Sequence, residues 1–500
     1  MKRILIILAL IYSQCIWAQS STSQKAVQDL LTDPIFSHAS IGVKIMKGNG
    51  EILAAGNENK MLTPASNMKL ISTGSALYLL GEDYSFATNI AHDGIITDGT
   101  LYGNIYIIGE ADPTLGSKDS IATDINKTFA QWTRAIKEAG IQRIDGHIIG
   151  DGRWLDGMME EPTWLWNDIG TYYGSGISGL NFYENMISFN ASVDLSGDEA
   201  KVKLAQHYPS TPWMTITQNC TVGEKSTGDK LYMYTSDLAP IAQIRGTYGI
   251  DRGSKRVDFS NKFPEYTCAV YFKNYLQSKG ISCTMGAADF KLVTDWTGSD
   301  SLKVIATTLS PALKRIVFET NHISNNIFAE TLFRTLGKSI YGNSSYESSQ
   351  RAISDVIKKM GVNSTSEMNI QDGSGLSRQN YVSADFICSF LNKIMDSYCF
   401  EEFIWSLPIP GGNGSLSYNM KNYSLKLRSR IRVKSGSMNG VRCYSGYVLP
   451  EGYDLIPGKE IPKEIKDQII VFSIMVNNCI SPTWKVRPRL DKFMAEMTAF

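Results

Sequence analysis

The tetrad Ser66-Asn67-Met68-Lys69 sets a hydroxyl three residues before an amine. On a helix, positions i and i+3 share a face, so the two groups can meet. A neutral lysine amine can then take the serine proton and turn the oxygen into a nucleophile. A lysine ordinarily titrates near 10.4, and bringing it to about 7 costs about 4–5 kcal/mol. A chain this rich in Ser and Lys would show about two such tetrads by accident. Only this one occurs, and it opens a helical pattern directly after a hairpin.

Two further groups of residues matter because of their order. Ser324-Asn325-Asn326 is an S-x-N triplet between two helical stretches, where a polar cap would be the ordinary explanation. Lys434-Ser435-Gly436 follows the strand-like run Ile431-Arg432-Val433 and precedes Ser437. Each triplet alone is common. The order S-x-x-K, S-x-N, K-[ST]-G is that of enzymes which penicillin acylates on serine.

The elements that must hold these groups can be read on either side of them. Residues 23–31 suit a short helix. Ile41 to Met46 and Glu51 to Ala55 flank the turn Lys47-Gly48-Asn49-Gly50 and predict a hairpin. Pro64 opens a helical pattern that Gly81 closes. Helices are expected over Ser310 to Gly337, Ser345 to Met360 and Trp484 to Phe500, with a buried strand at Ile469 to Val476. Between about 89 and 295 the texture changes to short β-like runs, such as Leu101 to Ile108 and Ile144 to Ile149. Asp-Gly turns punctuate them, and one helical stretch, Ile125 to Gly140, interrupts them. The outer thirds therefore read as one domain, 19–88 and 296–500, split by a β-rich insertion of two subdomains at 89–295.

Composition bounds the rest. The chain has 500 residues, 43% hydrophobic and 20% charged, with 49 basic and 49 acidic side chains. That balance is globular. A net charge of zero argues against a partner bound through a bulk basic field, so no nucleic acid is expected. Lys2 and Arg3, the apolar run Ile4 to Ile11 and the small Ala18 form a secretory leader over 1–18. Cys15 raises a lipid-anchored form, disfavoured by Gln14 before it. The mature protein is thus expected in an oxidising, periplasmic or secreted setting. Its seven remaining cysteines show no metal spacing, and Cys268 with Cys283 is the favoured bridge. The five histidines form no H-x-x-x-H, so neither a metal nor another cofactor is expected.

The chain resembles the class C low-molecular-mass penicillin-binding proteins, the D-alanyl-D-alanine carboxypeptidase/endopeptidase family. The resemblance runs from Leu62-Thr63-Pro64-Ala65-Ser66 through Gly109-Glu110-Ala111-Asp112-Pro113 and Tyr172-Tyr173-Gly174. It continues through Asn325-Asn326 with Ala329-Glu330 to Asp372-Gly373-Ser374-Gly375-Leu376-Ser377. Two positions depart from the family pattern: Ser435 stands where Thr is usual, and Asn325 where Asp is usual.

The resemblance implies an α/β (α+β) serine β-lactamase/transpeptidase-like fold, an antiparallel sheet flanked by helices, carrying the insertion. It implies acylation of Ser66 by the carbonyl of the penultimate D-alanine of a peptidoglycan stem peptide, with β-lactams as covalent inhibitors. Lys69 becomes the general base, its pKa lowered by burial and by the charge of Lys434. Ser324 relays a proton to the leaving amine, and Asn326 orients Lys69 or the substrate amide. Lys434 pairs with the terminal carboxylate and Ser435 adds a hydrogen bond. The backbone around Gly436 supplies the oxyanion hole from the N–H groups of Ser66 and Ser437. Asp151 is matched to an insertion aspartate that lies near the site in relatives. A homodimer is left open.

Two other functions are weighed. A class A β-lactamase needs a deacylating Glu in an E-x-x-L-N context; the comparable segment is Ile177-Ser178-Gly179-Leu180-Asn181, with Ile in that place. A catalytically idle wall-binding or antibiotic-sensing protein would tolerate loss of the motif residues, and all are present. No G-x-S-x-G elbow supports another serine hydrolase.

Overall fold

The computed structural model describes residues 22–292, 302–362 and 368–500. The expected leader lies outside the described residues. Among these, no helix is long and apolar enough to cross a membrane.

The centre of the transpeptidase-like part is a five-stranded antiparallel sheet. Strands β1 (Ser40–Lys47) and β2 (Ile52–Gly56) form the expected hairpin, closed by Gly50 at φ 92°. Strands β3 (Ile431–Met438), β4 (Val441–Val448) and β5 (Ile470–Asn477) complete the order β2-β1-β5-β4-β3. Both faces of the sheet are covered, which is why β5 is buried at every position. On one face Val43, Ile45, Phe472 and Ile474 pack on the first helix, residues 22–32, and on the last, Thr483–Glu496. On the other face lie α1 (Met68–Leu80), α2 (Leu313–Ile323), α3 (Asn326–Tyr341), α4 (Tyr346–Lys359) and α5 (Ala384–Ile394).

The two helical stretches expected on either side of Ser324 are α2 and α3, and Ser324 adopts a left-handed φ of 61° between them. The end of the second differs from the sequence reading. Gly337 does not end α3. A Cβ there would stand 2.6 Å from Ser349 Oγ, so this glycine permits α4 to pack closely. The helix runs on to Tyr341, and Gly342 at φ 67° terminates it.

Within the insertion, Ala87–His92 pairs with Lys303–Leu309, beyond the boundary expected at 295. These strands belong to a mixed sheet with Ile105–Gly109, Ile148–Asp151 and Ala287–Asp289, packed against helices Ile125–Glu138 and Pro264–Ser278. Residues 186–260 add two three-stranded sheets around a small core of their own. The insertion is keyed into the rest. Leu155, Met159 and Ile177 join the main hydrophobic core, and Arg334 of α3 donates to the carbonyls of Asp156 and Met158.

The favoured disulfide does not form. All seven cysteines of the described residues are free. Cys268 is enclosed in the apolar core of the insertion, while Cys283 donates to the Gly146 carbonyl at 3.0 Å. A core of this size needs no covalent staple.

Candidate active site

The nucleophile stands on a single 3-10 turn, Ala65–Asn67, that leads into α1. Ala65 holds a positive φ of 47°. Two glycines let other segments approach this turn. A Cβ on Gly436 would lie 2.4 Å from Pro64 O, and one on Gly375 would lie 1.9 Å from Ala65 O. The glycine of the K-S-G triplet therefore serves close approach of β3 to the nucleophile turn. Asn67, inside the tetrad, is buried and donates to Ser445 Oγ of β4 at 2.7 Å, tying the turn to the sheet.

Lys69 projects from the first turn of α1 and is fully buried. Its Nζ lies 3.0 Å from Ser66 Oγ, 2.6 Å from Asn326 Oδ1 and 2.8 Å from the Ser374 carbonyl. Burial brings its pKa down to about 7, against the opposing pull of Asp372 and Glu330. Lys434 was expected to help lower it through the repulsion between the two amines; burial and then the charge of Lys69 hold Lys434 itself well below the usual lysine value. Lys434 Nζ donates to Ser324 Oγ at 2.9 Å and to the Ser435 carbonyl at 2.8 Å. The left-handed φ of Ser324 turns that hydroxyl toward β3. The three sequence motifs thus converge as two linked pairs, Ser66 with Lys69 and Ser324 with Lys434.

Strand β3 is the edge of the sheet, hydrogen-bonded only to β4 among the described residues. Its outer edge, carrying Ser435 and Ser437, can add an extended peptide as a further strand. Ser437 and Ser66 both line a cavity of about 360 Å³. Leu165, Asp168, Tyr172 and Tyr173 of the insertion line it from the other side, with Arg378.

Asp151 is not among the residues lining this cavity. It ends the strand Ile148–Asp151, where Arg153 donates to both its carboxylate oxygens. The insertion carboxylate at the cleft is Asp168, hydrogen-bonded by Tyr173 OH at 3.2 Å. Burial raises its pKa, opposed by that bond and by Arg378. The neighbouring Tyr172-Tyr173-Gly174 was the signal that could have located it. Ile177, compared above with the Glu of an E-x-x-L-N context, is part of the main hydrophobic core.

Sequence reasoning also missed the supports of the motifs. Glu330, one turn after Asn326 on α3, accepts from Ser374 N at 2.8 Å and from Gly373 N at 3.3 Å, and so positions the carbonyl that receives Lys69. Burial and then the charge of Asp372 push its carboxyl up to about 8. Asn326 Nδ2 donates to Tyr173 O at 2.8 Å, joining the second motif to the insertion.

A second tie is Glu184. It sits between Tyr183 and Asn185 in a run of three left-handed residues, φ 54°, 52° and 50°, each of which costs about 1–2 kcal/mol. Its carboxylate accepts from Ser117 Oγ at 2.6 Å and from Asn325 Nδ2 at 2.9 Å. The amide at Asn325, where the family usually has a carboxylate, suits this partner because an Asp would repel it. Glu184→Ala should cost about 1–3 kcal/mol of stability by orphaning two donors. It should also slow penicillin acylation of the folded protein about tenfold, through loosening of Ser324 and Asn326. Glu184→Gln keeps an accepting oxygen and should restore most of the acylation rate; stopped-flow acylation well below the melting temperature reads the difference.

The comparisons with known proteins agree with this geometry. The chain is 26% identical over 459 residues to the D-alanyl-D-alanine carboxypeptidase of Actinomadura sp. (strain R39), covering 87% of this chain and 80% of that protein. It is 26% identical over 457 residues to penicillin-sensitive carboxypeptidase A of Dictyostelium discoideum, covering 89% and 83%. Its fold matches the crystal structure of penicillin binding protein 4 (dacB) from Haemophilus influenzae with a TM-score of 0.76 and 20% identity, covering 95% of this chain and 98% of that one. Residues 23–498 match a single family description, and the chain belongs to the D-Ala-D-Ala carboxypeptidase 3 (S13) family.

Proposed function

We propose that this serine D-Ala-D-Ala carboxypeptidase cleaves the terminal bond of peptidoglycan stem peptides through an acyl-enzyme on Ser66. The observation that carries the reading is a fully buried Lys69 amine 3.0 Å from the Ser66 hydroxyl, with its pKa near neutrality. At neutral pH much of that amine is unprotonated and can accept the serine proton as Oγ attacks the carbonyl carbon. The oxyanion forms at the N–H groups of Ser66 and Ser437. The C–N bond then breaks, and the leaving amine takes its proton by way of Ser324. Water later hydrolyses the ester.

Substrate recognition divides across the nucleophile. On the leaving side, Lys434 awaits the terminal carboxylate. Burial disfavours its charge, and an arriving anion favours the charged form. Ser435 adds a hydrogen bond to the same carboxylate. On the acyl side, Asp168 and Arg378 offer a carboxylate and a guanidinium to a side chain that ends in both an amine and a carboxyl group. A cross-linked peptide presents the same D-Ala-D-Xaa bond, so endopeptidase cleavage uses the same machinery. The leader over 1–18 fits export to the wall side of the membrane.

The test is covalent. A β-lactam should add one penicilloyl group to Ser66, found by intact mass and peptide mapping, and the adduct should persist for minutes. D-alanine should be released from a stem pentapeptide. Rapid turnover of nitrocefin with no adduct would replace this reading by a β-lactamase; an adduct without D-alanine release would leave a sensor.

A further inference from the structure

The active-site cavity does not end at Tyr173. A second cavity of about 490 Å³ adjoins it and shares Asp168, Tyr172 and Tyr173 with it. It runs across the insertion between Asn167, Tyr232, Arg256 and Asp258. Nothing in the acyl-transfer chemistry uses these residues.

Tyr172, Tyr173 and Tyr232 line it, and Tyr232 is continued by a ladder of rings beside the groove. Trp166 stacks on Tyr234 with centroids 5.8 Å apart and planes at 20°. Tyr234 meets Tyr232 edge to face at 5.3 Å and donates from its hydroxyl to Asn167 Oδ1 at 2.9 Å. Trp166 is nevertheless 60% exposed and Tyr172 55% exposed. Large rings fixed on a surface and left open to water mark a binding face. Asp258 takes both Arg256, at 2.8 Å, and Lys118, at 2.9 Å, and Asp168, Asp229 and Lys230 also line the groove. Acidic and basic groups are thus mixed along it, which suits no strongly charged polymer.

We propose that this groove binds the glycan of the wall, the chain of N-acetylated amino sugars that carries the stem peptides. A pyranose ring has an apolar C–H face that stacks on tyrosine and tryptophan. Its hydroxyl and acetamido groups hydrogen-bond to the amide, carboxylate and guanidinium groups found here. Reach agrees: an extended peptide spans about 3.3–3.6 Å per residue, and the groove begins at the residues that end the cleft. A stem bound at Ser66 can thus lay its sugar in the groove. A second peptide is the less suited occupant, because the nearby strand Lys255–Ser260 is already bridged through Phe259 by Thr171, and Ser260 N donates to Gly170 O at 3.0 Å.

The proposal rests on the carboxypeptidase reading, and the experiment separates the two. Release of D-alanine is compared for a free stem pentapeptide and for the same peptide attached to a disaccharide or longer glycan. The wild-type enzyme should favour the glycan-bearing substrate in kcat/KM by about tenfold. Trp166→Ala and Tyr232→Ala should each remove most of that preference while leaving free-peptide cleavage and penicillin acylation unchanged. Peptide-free glycan strands should bind the penicillin-blocked protein and bind both variants more weakly. No preference in the wild type, a preference that survives both substitutions, or one that follows a sugar-free cross-linked peptide would each overturn the proposal. Failure to cleave the free peptide would sink the carboxypeptidase reading, while glycan binding would still report on the groove.

Discussion

Lys69→Ala is expected to slow acylation of Ser66 by about 10³–10⁴, the range over which a positioned general base acts. The change removes the only amine within hydrogen-bonding distance of Ser66 Oγ among the described contacts. Lys434, the other buried amine of the site, points its donors at Ser324 and the Ser435 carbonyl and does not substitute for it. Initial binding of a β-lactam should change little, since the groups that would receive its carboxylate remain. The wild-type pH profile carries the same assignment. Below about 7 Lys69 holds its proton and is no base, so the acylation constant should fall about tenfold for each pH unit below that value. Above it, the amine is free and the profile should flatten. A wild-type acylation rate that stays constant from pH 5 to 8 would remove Lys69 from the role, whatever the variant does.

The sequence was informative where chemistry is local. Ser66 and Lys69 are three residues apart, and Pro64 and Gly81 punctuate their helix, so their meeting follows from helical geometry alone. The same holds for the hairpin around Gly48-Asn49-Gly50 and for the strand that carries Lys434-Ser435-Gly436. The sequence was silent where the site depends on parts far apart in the chain. Asp168 and Glu184 look like ordinary turn or surface acids until folding sets them near Arg378 and Asn325. Asp151, with its Gly on either side, resembled a site residue more than Asp168 did, yet Arg153 claims it. Equally hidden were the acids that oppose the fall in the Lys69 pKa, since only the fold places Asp372 and Glu330 near it.

Asp372→Ala should be the most destabilising of these changes. The carboxylate is fully buried. It accepts from Gly375 N at 2.8 Å, Ser377 N at 2.6 Å, Asn380 Nδ2 at 2.8 Å and Trp164 Nε1 at 2.8 Å. Alanine removes the acceptor of four buried donors; Asn380 Nδ2 keeps the Ser377 carbonyl at 2.9 Å, the other three are orphaned, and each orphan costs about 1–3 kcal/mol. A loss of at least about 4 kcal/mol is expected from urea denaturation, a large share of the 5–15 kcal/mol typical of a folded domain. Asp372→Asn keeps one accepting oxygen but turns an amide toward donors, so it should recover only part. Activity should fall further than stability explains, because the loop 372–377 is what sets the Ser374 carbonyl on Lys69 and Gly375 against the nucleophile turn. Trp164 reaches Asp372 from the insertion, so the same substitution should loosen the insertion where it borders the cleft. Hydrogen exchange would then rise together in residues 163–176 and 372–380. A loss below about 1 kcal/mol, or exchange confined to one of the two segments, would show that Asp372 does not join them.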